Sequence, residues 1–115
     1  MDTLSAAGGA TPPAEVQIQT EVITSEVVLG LTPQQIIGGD PDRLEVIIVN
    51  NGIDDAYVST GTDVSVTKGI RIASNGGTLI LQKPFDHALT TWGLYSVAAA
   101  GAPSLFVMIV RRYRR

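Results

Sequence analysis

The chain has 115 residues, of which 44% are hydrophobic, 17% charged and 5% aromatic. That is the length of one domain, apolar enough for a core, and poorer in charge than the ~25% of an average soluble domain, as expected of a surface partly hidden in an assembly. With no cysteine and a net charge of −3, disulfides, thiolate metal sites and a cysteine nucleophile are excluded.

Residues 1–14, with Gly8-Gly9 and Pro12-Pro13, are expected to be an extended arm rather than a core element. They show neither a basic stretch nor an apolar run, so no signal peptide is expected. The sandwich domain is placed at 15–110 and a basic tail at 111–115. "EVQIQTEV" alternates Val16, Ile18, Thr20 and Val22 against Glu15, Gln17, Gln19 and Glu21, the pattern of a half-exposed antiparallel strand. "EVVLGL" and "TPQQII" follow, then a turn at "GGDPD". "RLEVIIVNN" is apolar on both faces, which predicts a central strand. "NNGIDD" is a turn, with Asn51-Gly52 suited to positive φ. "AYVST", "DVSVT", "GIRIA" and "TLILQ" read as further short strands, the last two joined by "SNGG". One helical turn is expected near Pro84–Leu89. "LYSVAAA" and "SLFVMIV" are read as strands around a hairpin-like break at "GAP", the second one buried on both faces. About eight short strands between Gly/Asn/Asp/Pro turns predict an all-β antiparallel sandwich, jelly-roll-like.

The run Ala88–Val110 is 23 residues without a charge and precedes a basic cluster, as in a membrane anchor. Gly101 and Pro103 at its middle argue for two strands instead, and no membrane partner is expected.

Reactive chemistry is sparse. His87 is the one histidine, too few for an ordinary zinc site, and its neighbour Asp86 points to the opposite face of an extended chain, so no triad is indicated. Asp40, Asp42, Asp54, Asp55 and Asp63 lie in predicted turns. They can gather around calcium, but solvated turn carboxylates account for them more simply. No phosphate-binding glycine motif occurs. The expectation is a non-enzyme without cofactor or metal. Tyr57, Trp92 and Tyr95 suit a sugar platform, though packing is the commoner role of such side chains, with Trp92 as an interface anchor.

Charge is lopsided. Residues 1–110 set four cations against all eleven acids, a balance of −7, and the final "RRYRR" adds four charges. An acidic body repels phosphate backbones, so nucleic acid is not an expected partner. Arg111, Arg112, Tyr113, Arg114 and Arg115 are read instead as a docking tail for an acidic protein surface, including the body of a neighbouring copy.

"QIIGGDPDRLEVIIVNNG", "AYVSTGTDVSVTKGIRIASNGGTLIL" and "GLYSVAAAGAPSLFVMIV" together resemble the small β-sandwich structural proteins of tailed bacteriophages. The likeness covers about two-thirds of the chain. It departs from the family at the last strand, which ends here in arginines. The resemblance implies a virion component without catalysis: a capsid decoration (cement) protein held to the major capsid protein, located on the capsid surface and made in the host cytoplasm. A neck, tail or baseplate subunit, or a carbohydrate-binding attachment module, is the alternative. It also implies a homo-oligomer, for which a trimer matches the three-fold positions of capsids. Leu4, Pro12 and Pro13 of the arm are the expected partner contacts there.

Overall fold

The computed structural model describes residues 19–113. These form eight strands: β1 (Thr20–Val28), β2 (Gln34–Ile37), β3 (Arg43–Asn50), β4 (Ala56–Ser59), β5 (Ile70–Ile72), β6 (Gly77–Gln82), β7 (Leu94–Ala98) and β8 (Ser104–Arg112). They build two antiparallel sheets, ordered β1-β8-β3-β6 and β2-β7-β4-β5. Only the β4–β5 link joins neighbours within one sheet. Every other connection carries the chain from one sheet to the other, the winding of a jelly-roll sandwich. The expected fold class is the observed one; the arm at 1–14 lies outside the described residues.

Several local readings change. The strands expected at 15–22 and 26–31 are, within the described residues, one strand, because β1 pairs with β8 without a break from Thr20 to Val28. "DVSVT" is not a strand. Ser65 and Lys68 exchange backbone hydrogen bonds at 3.0 and 3.1 Å and Lys68 pairs with Asp63, so the segment closes on itself. The break at "GAP" is not a hairpin, since β7 and β8 belong to different sheets. Positive φ falls at Asn75 (59°), Gly76 (104°) and Gly101 (62°), not at Asn51-Gly52. Gly52 is required for closeness instead: a Cβ there would lie 2.6 Å from Cβ of Pro103. The helical turn spans Lys83–Asp86 and runs into a 3-10 turn, His87–Thr91. Pro84 suits the start of a helix, where its missing N–H is not needed.

The core lies between the sheets. Val46, Ile48, Leu81, Leu105 and Val107 from one face meet Ile36, Ala56, Val58, Ile72 and Leu94 from the other. One buried polar side chain ties the layers together. Asn50 of β3 donates through Nδ2 to the Ile72 carbonyl of the opposite sheet (3.0 Å) and to the Asp54 carbonyl (2.8 Å). Its Oδ1 accepts from the Gly52 amide (2.9 Å). All its partners are backbone groups, and truncation strands the buried Ile72 carbonyl without its donor. Asn50→Ala is expected to lower unfolding free energy by about 2–3 kcal/mol in a urea titration. Its exposed neighbour is the control, with Asn51→Ala expected within about 0.5 kcal/mol of wild type.

Candidate interaction surfaces

Three features of the sandwich face outward with chemistry to offer: a charged cluster at the end of β8, a cleft beside Trp92, and the outer face of the β1-β8-β3-β6 sheet.

β8 continues through Arg111 and Arg112, so half of the basic tail belongs to the sheet. Arg111 stands opposite Glu21 of β1 and Arg43 of β3 in the ladders. Its Nε donates to Asp40 at 2.6 Å and its Nη1 to Glu21 at 2.6 Å, while Asp42 lies 3.7 Å from Nη2. Asp40 and Glu21 accordingly push the Arg111 pKa above its ordinary value, and Arg111 holds the Asp40 carboxyl below the usual carboxylate range. Its charge is therefore engaged with acids of its own chain. Arg112 differs. It shares the outer face with Thr20, and its Nε is shielded from solvent with no hydrogen-bond partner among the described residues. Tyr113 is exposed, and its amide donates to the Gln19 carbonyl at 2.8 Å. Arg114 and Arg115 lie outside the described residues, as do Leu4, Pro12 and Pro13.

Arg43 went unassigned at the sequence level and proves to be the organiser of one end of the sandwich. It is 3% exposed. Its Nη1 donates to the carbonyls of Thr90 (3.2 Å) and Trp92 (3.0 Å), and its Nη2 donates to that of Gly38. Burial pulls its pKa down; Asp40 opposes that shift. The guanidinium thereby fixes the Gly38–Gly39 turn against the segment carrying Trp92. The only sequence signal was an arginine opening an otherwise apolar strand. Between these segments lies an open cleft of about 530 Å³, lined by Gln35, Gly39, Thr60, Trp92 and Tyr95 among others. Trp92 is 52% exposed and so is not a core residue. Tyr95 and Gln35 face each other across β7 and β2. Tyr57 lies farther along, opposite Val97, and does not line the cleft. Of the turn aspartates, Asp40 and Asp42 meet at Arg111, whereas Asp63 pairs with Lys68 and Asp55 with Arg71. Among the described residues no group of three potential metal ligands is found.

The third feature follows from sheet parity. Val46 and Ile48 of β3 and Leu105 and Val107 of β8 point into the core, so their alternates point out. The ladder registers align these alternates in rows: Val22–Val110–Glu45–Gln82, Thr24–Met108–Ile47–Ile80 and Glu26–Phe106–Val49–Thr78. The centre of the face is thus apolar. None of these side chains joins the core cluster, and Val22 and Ile80 at its margins are 59% and 51% exposed. β3 and β8 are central, as their two apolar faces imply, but the expectation that β8 is buried on both sides does not hold within the described residues. A two-layer sandwich buries only one face of each sheet.

The Asp40 site carries a pH dependence. Because Arg111 depresses the folded-state pKa of Asp40 below its ordinary value of 3.8, its stabilisation is present above that value. It is lost as pH falls through the folded-state pKa. Asp40→Asn keeps the shape and an acceptor for the Asp42 amide. It is expected to lower the melting temperature at neutral pH, with the gap to wild type closing below about pH 4 in paired thermal melts.

No protein-family model and no curated protein matches the chain. Among solved structures it is similar to a chain of the Bacillus endospore appendages, described as a family of disulfide-linked pili. Identity is 13% and the TM-score 0.53, with 94% of this chain and 100% of that one covered. It is also similar to dTDP-4-dehydrorhamnose 3,5-epimerase from Bacillus anthracis, at 15% identity and a TM-score of 0.44, covering 87% of this chain and 57% of the enzyme. At such identities the first likeness is one of fold: an all-β sandwich.

Proposed function

We propose that this protein is a non-enzymatic structural subunit that works by packing against other chains. More specifically, we place it on the surface of a phage capsid, as a decoration protein bound to the major capsid protein. The outer face of the β1-β8-β3-β6 sheet carries the first of these statements, that the subunit packs against another chain. A contiguous apolar row across a sheet face is common where another chain covers it. The fold is shared with an appendage described as a pilus, so a sandwich of this shape is compatible with building an extended assembly. That appendage is described as disulfide-linked, whereas this chain has no cysteine; its assembly therefore depends on noncovalent faces. Many weak contacts repeated on a lattice become strong together.

Quantitative mass spectrometry of purified particles tests the placement. Decoration predicts a copy number close to that of the major capsid protein. A copy number matching a single ring would move the subunit to the neck, tail or baseplate, and absence from particles would refute a virion role.

The Trp92 cleft favours a second reading, a carbohydrate-binding attachment module. A half-exposed indole offers a sugar a flat apolar face, while Gln35 and Thr60 offer polar contacts. Glycan-array binding that disappears in Trp92→Ala would support it; an array blank for the wild-type protein would remove it.

A further inference from the structure

The outer sheet face has a definite geometry, and that geometry selects an occupant. We propose that a second copy of this chain covers it, the two sheets packing face to face about a two-fold axis that passes at Met108. This inference rests on the structural-subunit reading above and specifies the partner of that same surface.

Two observations favour self-pairing. The first is size. Four strands at about 4.8 Å spacing and up to nine residues at about 3.4 Å rise give a face of roughly 500 Å² in projection. Side-chain relief brings its accessible area toward the ~800 Å² per partner of a standard stable interface. The second is charge. Arg112 and Ser104 mark opposite ends of the outer row of β8, each four residues from Met108. Glu26 of β1 accepts a hydrogen bond from the Ser104 hydroxyl at 2.7 Å, which places its carboxylate beside Ser104. A two-fold axis at Met108, perpendicular to the strands, lays Arg112 of each copy over Ser104 of the other. The Arg112 guanidinium, on a residue that is only partly buried, then meets the Glu26 carboxylate of the opposite chain. This happens twice, once at each end of an apolar centre built around Met108, Ile47 and Phe106. Packed sheets about 10 Å apart accommodate such an arrangement. Because one surface meets itself, the product is a closed dimer. A three-fold assembly would need two different surfaces.

Sedimentation equilibrium and native mass spectrometry on the full chain provide the test. The wild-type protein is expected to be dimeric. Met108→Lys is expected to be monomeric with unchanged circular dichroism and a melting temperature that no longer depends on protein concentration. Arg112→Glu should weaken the dimer by about tenfold or more, the loss typical of breaking a close interfacial charge pair. Combining it with Glu26→Arg should restore dimerisation, which a variant that merely misfolds cannot do. If the wild type associates but neither Met108→Lys nor the charge swap alters it, this face is wrong while the structural-subunit reading stands. A trimeric wild type overturns the two-fold packing. A monomeric wild type that dimerises once residues 1–18 are removed overturns it too, by making the chain's own N-terminal segment the occupant. A wild type that stays monomeric in both forms overturns it outright, and the copy number in particles then decides the structural-subunit reading independently.

Discussion

A sandwich of two sheets has a single interior, and each sheet can turn only one face toward it. This constraint governs the molecule. β3 and β8 carry apolar residues on both faces, one set more than the interior can accept. Val46, Ile48, Leu105 and Val107 fill the core, and the alternate residues are left facing outward. The surplus is concentrated on the two central strands, so it forms a continuous patch rather than scattered exposed side chains. Continuity is what separates an interface from ordinary apolar surface.

The ends of the sandwich are governed by arginines rather than by apolar contact. Arg43 occupies a place where three carbonyls would otherwise lack donors. Arg111 closes the neighbouring corner by bringing together acids from β1 and the β2–β3 turn. The two guanidiniums are adjacent in the ladder, and Asp40 lies between them as the compensating anion. Consequently the basic end of the chain is not uniform. Arg111 serves the fold, while Arg112, one residue on, stands on the opposite side of the strand, across from Thr20.

The strands were legible because alternation is local: a period of two along "RLEVIIVNN" needs no knowledge of its neighbours. Their partners were not legible. Only β4 and β5 are adjacent both in sequence and in one sheet, so reading "GAP" as a hairpin failed where a crossover intervenes. Residues apolar on both sides identified central strands correctly, yet could not say that one side would lack cover. "DVSVT" alternates like a strand, but local hydrogen bonds between Ser65 and Lys68 prevailed over its pattern. Arg43 escaped notice because its partners, Gly38, Thr90 and Trp92, are backbone carbonyls from distant segments, and carbonyls leave no trace in residue identity. Trp92 was read as a candidate interface aromatic and proves half exposed, whereas the Gln35 that shares its cleft arrives from β2 and gave no signal.

The winding of the chain has a consequence for how it reaches this state. With nearly every connection passing from one layer to the other, few native pairings can form between neighbours in sequence. Loop-closure entropy must be met before most contacts reward it, which slows folding in all-β topologies of this kind. During that interval β3 and β8 present apolar residues on both sides to the solvent, and nascent chains at high concentration are drawn to one another before either layer is complete.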